Sequence, residues 1–217
     1  MSFILSPSIL AADLSNLERD IMMLNNSRAD WIHVDVMDGV FVPNISFGFP
    51  LMNVLKKHAA KPLDVHLMIV EPQKYISRFA EYQPHLLCVH YEACLHLDRT
   101  LNEIKGYGMK AGVAINPHTP VSLLEEVINL ADVFVVMGVN PGFSAQKFIP
   151  YTTQKVSKLK QLITKHKSEA LIEVDGGVDK RNALELLKAG ADILVAGNAV
   201  FGQESPELAI DELKTLY

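Results

Sequence analysis

His33 and Asp35 stand two apart in the segment His33-Val34-Asp35-Val36-Met37-Asp38-Gly39. On an extended strand that spacing sends both side chains to the same face. His66-Leu67-Met68 repeats the parity, and Glu173-Val174-Asp175-Gly176-Gly177 sets another aspartate before a glycine pair. Brought to one rim, His33, Asp35, His66 and Asp175 would make an N2O2 set suited to one divalent cation per chain, zinc first and Fe(II), Mn or Co otherwise. Each residue alone has an ordinary reading. A histidine near a strand end is commonly a hydrogen-bonded structural residue, and an aspartate beside glycine often caps a turn. Four such groups converging without a cation would be costly to bury, so the combination favours metal.

Other residues fall into place around this set. Met37, Met68 and Met137 share the strand-end parity and are expected to line the same pocket, where an apolar wall excludes water and strengthens electrostatics. His90 with Glu92 is a candidate to line the pocket, at most behind the ligands. His58, His96 and His166 read as solvated, His85 precedes a strand and His118 lies in a loop. Asp38 reads as a turn residue, and Cys88 and Cys94 as inert thiols. Three glycine-rich turns, Asn140-Pro141-Gly142-Phe143-Ser144-Ala145, Gly176-Gly177 and Gly197-Asn198, each lead into a helical pattern. Their backbone amides and the following helix starts can receive a phosphate. A bulky residue at Gly177 is accordingly expected to weaken substrate binding and leave the fold intact.

Such residues need elements to position them. Short runs rich in Val and Ile recur at Phe3–Ser8, Trp31–Val36, Leu63–Met68, Leu86–Tyr91, Lys110–Ile115, Val133–Met137, Leu171–Asp175 and Ile193–Gly197. This is the composition of strands buried on both faces. Amphipathic patterns of helical length separate them: Leu17–Leu24, Pro50–His58, Pro72–Tyr82, Leu97–Gly106, Val121–Leu130, Tyr151–His166, Asn182–Ala189 and Pro206–Leu216. Pro72 and Pro206 suit a first helical position, Thr119-Pro120 an N-cap followed by proline, and Gly106 and Gly190 helix ends. Strict alternation at about 27 residues per unit predicts an α/β fold, a single (β/α)8 TIM barrel over residues 1–217. The rival is a doubly wound open sheet, weakened by the absence of GxGxxG after the first strand. In a barrel, the strand C-termini carry the site, and the loops after strands 7 and 8 often hold phosphate.

Composition narrows the class further. The 217 residues are 49% hydrophobic and 21% charged, with a formal net charge of −5. An acidic chain lacks the field for broad contact with nucleic acid or anionic membrane. Any phosphate must therefore be held by local groups. Two cysteines without CxxC spacing exclude a disulfide framework or zinc finger. The N-terminus has neither the basic flank nor the apolar run of a signal peptide, and no stretch would span a bilayer. A cytoplasmic protein is expected.

With these segments in hand, the chain resembles the ribulose-phosphate 3-epimerase family of the pentose phosphate and Calvin pathways. The matching segments are Ser6-Pro7-Ser8-Ile9-Leu10-Ala11-Ala12-Asp13, His33–Gly39 with Phe41-Val42-Pro43-Asn44, Asp64-Val65-His66-Leu67-Met68, Val139-Asn140-Pro141-Gly142-Phe143 and Glu173–Val178. They run in order along nearly the whole chain. The resemblance implies His33, Asp35, His66 and Asp175 as metal ligands and Asp35 with Asp175 as the acid–base pair. It further implies substrate contacts from Ser8, His66, Gly142, Phe143, Ser144, Ala145, Gly176, Gly177, Gly197 and Asn198, and a homo-oligomer, dimer or hexamer.

The implied reaction removes a proton beside a ketone, giving an enediolate that a Lewis acid stabilises, and returns it on the opposite face. Its substrate would be a phosphorylated ketose, D-ribulose 5-phosphate giving D-xylulose 5-phosphate. Three positions depart from the family pattern: Ser144-Ala145 replaces Gly-Gly, Asn198 replaces Ser, and Gly138 replaces Ser. They keep D-allulose 6-phosphate 3-epimerase open as an alternative. A barrel decarboxylase would need a lysine where Met37 stands, and a non-catalytic phosphate-binding barrel would need neither metal nor a second acid.

Overall fold

Eight apolar runs form parallel strands: β1 (Ile4–Pro7), β2 (Ile32–Met37), β3 (Leu63–Met68), β4 (Leu86–His90), β5 (Lys110–Ile115), β6 (Val133–Met137), β7 (Leu171–Asp175) and β8 (Ile193–Ala196). The computed structural model describes residues 3–216. Met1, Ser2 and Tyr217, part of the expected domain 1–217, lie outside them. The strands make one sheet ordered β1-β8-β7-β6-β5-β4-β3-β2. It curls until its edges meet. There Ser8 bridges His33, and the Asp30 and Trp31 amides donate to the Leu5 carbonyl at 2.9 and 3.3 Å. The (β/α)8 barrel is thus the observed architecture, and no open doubly wound sheet forms among the described residues.

Strand parity divides the barrel into two environments. Outward residues such as Leu5, Ile32, Val34, Val65, Leu67 and Val174 join a core with the surrounding helices. Full burial of each such side chain is worth about 1.5–3 kcal/mol. Inward, a plug of Trp31, Leu86, Cys88, Ala114, Val133, Val135, Met137 and Ile193 fills part of the interior. Beside this plug the interior holds many polar groups: Ser6, Ser8, His33, Asp35, Asp64, His66, His90, Glu173 and Asp175 are all buried. A barrel stabilised mainly from outside can hold such a group inside.

The helices are α1 (Leu17–Asn26), α2 (Phe49–His58), α3 (Ile76–Ala80), α4 (Leu97–Gly106), α5 (Thr152–His166), α6 (Ala183–Ala189), α7 (Asn198–Phe201) and α8 (Pro206–Lys214). Ser205 caps α8 by accepting from the Leu208 amide, with Pro206 in the first turn, and Gly190 ends α6 at φ 113°. Three details differ from expectation. Pro72–Tyr82 breaks into a 3-10 turn (Pro72–Lys74) and the short α3, because Tyr75 leaves helical geometry at φ −116°, ψ −6°. Val121–Val127 is 3-10 throughout, with Val121, Leu124 and Val127 buried. A spacing of three suits a helix with three residues per turn. Thr119 is no cap for it; its hydroxyl donates to Glu92 instead. No helix among the described residues is long and apolar enough to cross a membrane.

Candidate active site

The inward parity of β2, β3 and β7 brings the four expected residues together. One ligand atom from each of His33, Asp35, His66 and Asp175 lies within 4.8 Å of all the others. His33 Nε2 is 3.3 Å from Asp35 Oδ1 and 3.9 Å from Asp175 Oδ2. His66 Nδ1 is 3.6 Å from Asp35 Oδ1 and 3.4 Å from Asp175 Oδ2. That Nδ1 is buried and has no hydrogen-bond partner. Two imidazole nitrogens and two carboxylate oxygens converging around an unpartnered nitrogen fit a divalent first-row cation.

Three of the four side chains, His33, Asp35 and His66, are held from behind. His33 Nδ1 donates to Asp64 Oδ2 at 2.7 Å, which also accepts from Ser6 Oγ at 3.1 Å. Ser8 Oγ donates to Asp35 Oδ2 at 2.6 Å. Ser46 Oγ donates to the Asp35 carbonyl at 2.6 Å and accepts from the Met37 amide at 2.9 Å, pinning the end of β2. His66 Nε2 lies 2.9 Å from His90 Nε2, and His90 Nδ1 lies 3.1 Å from Glu92 Oε2. A histidine whose second nitrogen meets a carboxylate is typical of the support behind metal ligands.

The electrostatics favour positive charge here. Burial opposes protonation of His33, but Asp64 and Asp35 beside it raise its pKa well above the ordinary imidazole value. His66 is likewise raised, burial being outweighed by Asp175 and Asp35. Burial pushes the Asp35 carboxyl upward, yet His33 and His66 hold it below the usual carboxylate range. Glu173, deeper in the barrel, goes the other way: burial and the nearby Asp64 raise it well above the carboxylate range. Burial lowers His90 to about 4.

Above this cluster opens a cavity of about 620 Å³. Asp35 and Asp175 reach it, while His33 and His66 are fully buried beneath. Ser8, Met37, Met68, Met137, Gly142, Phe143, Ser144, Ala145, Gly176, Gly177, Gly197 and Asn198 line it; His66, also expected to touch substrate, does not, because its ring is fully buried beneath the carboxylates. The methionines are buried at its wall, Met37 and Met68 packing with Val42. The loop after β6 is tied down by Asn44 Nδ2, which donates to the Gly142 carbonyl at 2.7 Å.

Gly177 needs correction. It sits at φ +69°, and a Cβ there would lie 2.9 Å from both Cα and N of Phe148. The backbone demands this glycine whatever ligand binds, so a bulky substitution would not leave the fold intact.

Most of the minor readings fit, but His58 and His166, expected to be solvated, are partly buried beside carboxylates. Asp38 shapes its turn by accepting from the Val40 and Phe41 amides at 2.8 and 2.9 Å. His85 packs tilted against Trp31, with ring centroids 5.0 Å apart. His96 and His118 are not buried, whereas His58 and His166 approach Glu18 and Glu125. Sequence reasoning misses Asp64, Glu173, Ser6 and Ser46. Asp64 and Glu173 precede His66 and Asp175 by two residues, so the parity that pairs His33 with Asp35 also identifies them. Lys147, Arg181 and Gln203 join the cavity from loops with no such signal.

A closed parallel barrel with a buried His2Asp2 cluster at the C-terminal ends of its strands defines a barrel enzyme, with its site where this fold carries active sites. A sequence model described as the ribulose-phosphate 3 epimerase family matches residues 4–201. The chain belongs to that family. It is 48% identical over 210 residues to the ribulose-phosphate 3-epimerase of Bacillus subtilis, covering 96% of this chain and 97% of that one. Against the Escherichia coli ribulose-phosphate 3-epimerase the identity is 40% over 214 residues, covering 98% and 95%. Among solved structures, orotidine 5'-phosphate decarboxylase from Pyrococcus horikoshii superposes with a TM-score of 0.69 at 13% identity, covering 98% of each chain. A mutant tryptophan synthase alpha-subunit from Pyrococcus furiosus gives 0.69 at 16% identity, covering 98% and 94%. At that identity the likeness is one of fold.

Proposed function

We propose that this chain interconverts D-ribulose 5-phosphate and D-xylulose 5-phosphate by epimerisation at C3, as a single catalytic domain over residues 1–217 in the cytoplasm. The observation that carries the reading is the convergence of His33, Asp35, His66 and Asp175 within 4.8 Å on the floor of the cavity. Membership of the family supports it, as do relatives of that name at 40–48% identity. The oligomeric form, dimer or hexamer, rests on the resemblance alone.

His33 Nε2, Asp35, His66 Nδ1 and Asp175 would hold one divalent cation, zinc in the first instance. Bound there, the cation supplies Lewis-acid stabilisation of the charge that develops on substrate oxygen as the C3 proton leaves. Asp35 comes from β2 and Asp175 from β7, two strands separated by β1 and β8. A ketose between them meets one carboxyl on each face. Asp35 takes the C3 proton on one face and Asp175 delivers a proton on the other, with roles exchanged in reverse. Ser8 Oγ, donating to Asp35 Oδ2, orients that carboxyl. Met37, Met68 and Met137 keep water from the reacting carbon. Backbone amides at Gly176, Gly177, Gly197 and Asn198 receive the phosphate, with Gly142, Phe143, Ser144 and Ala145 covering the substrate. No redox cofactor takes part.

The test uses protein purified without chelator. About one divalent metal per chain, activity lost on stripping and restored by Zn, Mn, Co or Fe(II), and kcat/KM higher for D-ribulose 5-phosphate than for D-allulose 6-phosphate are expected. Full activity in demonstrably metal-free protein contradicts the metal assignment. Preference for the six-carbon ketose would transfer the substrate to the alternative.

A further inference from the structure

We infer that His90 and Glu92 are positioning residues that decide which nitrogen of His66 carries its proton, keeping the Nδ1 lone pair turned toward His33, Asp35 and Asp175. The inference rests on the metal reading above and adds residues to it. Between the Nε2 atoms of His66 and His90, 2.9 Å apart, there is room for one hydrogen. One ring must donate and the other accept.

The choice is made at the far end of the chain of contacts. His90 Nδ1 lies 3.1 Å from Glu92 Oε2. A carboxylate only accepts, so His90 keeps its hydrogen on Nδ1. A neutral imidazole has one N–H, which leaves His90 Nε2 as an acceptor. His66 Nε2 then donates to it, and His66 Nδ1 is left with a free lone pair. That is the atom without a hydrogen-bond partner, 3.4 Å from Asp175 Oδ2. The opposite polarity would put a hydrogen on Nδ1, where it would occupy the ligand position, and set the bare Nδ1 of His90 against a carboxylate.

Glu92 is itself anchored. Its Oε1 accepts from the Asn116 amide at 2.8 Å and from the Thr119 hydroxyl. The side chain is 20% exposed. The His90 ring is gripped by the Phe41 ring, centroids 4.6 Å apart, and by the His66 ring at 4.9 Å. A line of fixed hydrogen bonds therefore runs from the loop after β5 to the ligand on β3.

Glu92→Gln tests this with little change of shape, because an amide can donate to His90 Nδ1 and permit the reversed polarity. Zinc affinity, read by competition with a chromogenic chelator, should fall about 10–100-fold. Excess zinc should restore kcat, which a merely structural defect would not allow. A second measurement needs no variant. In zinc-loaded wild-type protein, long-range 15N–1H correlation should place the hydrogens on His66 Nε2 and His90 Nδ1. Wild-type zinc affinity in folded Glu92→Gln, or a hydrogen on His90 Nε2, overturns the inference alone. A wild-type chain that takes up no zinc overturns the metal reading and this inference with it.

Discussion

Gly177 and Gly197 both line the cavity, yet an alanine should act on them in opposite ways. At Gly177 the backbone stands at φ +69° and a Cβ would meet Cα and N of Phe148 at 2.9 Å. The left-handed conformation costs an L-residue about 1–2 kcal/mol. Displacing a packed backbone adds about 1–3 kcal/mol. Gly177→Ala should therefore lose about 2–5 kcal/mol and lower Tm by roughly 4–20 °C for a chain of this size. At Gly197 the nearest atoms to a Cβ are Ala11 Cβ at 3.5 Å and Ser8 Cβ at 3.7 Å, ordinary contacts. Gly197→Ala should leave stability within about 0.5 kcal/mol. It narrows the cavity beside Ser8, where a loss of about 1–2 kcal/mol of substrate binding raises KM roughly 5–30-fold. Thermal melts and initial-rate kinetics on D-ribulose 5-phosphate read both variants. A Gly177→Ala protein that melts with the wild type refutes the steric reasoning. An unchanged KM in Gly197→Ala refutes the placement of substrate against that turn.

Asp35→Asn and Asp175→Asn should each lower kcat by more than the roughly 10²–10⁴-fold typical of one acid or base, because ligand charge is lost as well; metal content measured alongside separates the two effects, and either variant with near wild-type turnover contradicts its role. Asp64→Asn removes the carboxylate behind His33 and should weaken zinc binding about 10–100-fold, read by chelator competition, with unchanged affinity as the contrary result. Burial lowers Lys155 to about 8, below its ordinary 10.5. Between those values the unfolded chain holds a proton that the folded one lacks, so folding gains stability as pH rises from about 8 to 10.5 and no further above. Denaturant melts should show wild type gaining on Lys155→Met across that window; a constant difference would show that Lys155 keeps its proton.

Periodicity carries most of this fold, because a strand buried on both faces leaves a run of Val, Ile and Leu that few other elements need. All eight strands lie where those runs fall. The four-residue cluster is equally legible, since an i, i+2 pair cannot face apart on a strand. Asp64 and Glu173 obey the same rule but sit one layer deeper, where sequence offers no sign of which polar residue supports another. The pairing of His90 with His66 depends on the β3–β4 register, His66 opposite Cys88, and register is a tertiary property. Val121–Val127 misleads for a local reason: its apolar spacing of three lies within the tolerance of an α-helical pattern. Thr119 has the composition of a cap, but Glu92, distant in sequence, claims its hydroxyl. Gly177 misleads because a glycine chosen for backbone approach looks the same whether the approaching group is a phosphate or Phe148.

Whether Asp35 and Asp175 serve opposite faces of C3 is decided most directly by single turnover in D2O. Metal-loaded enzyme in excess is mixed with D-ribulose 5-phosphate, quenched before a second turnover, and the C3 position of the D-xylulose 5-phosphate is read by NMR or mass spectrometry. If one aspartate removes the proton and the other, already equilibrated with solvent, supplies its replacement, the product carries deuterium at C3. Product that retains the original hydrogen would mean that a single shielded base works both faces, and the assignment of two aspartates would be wrong.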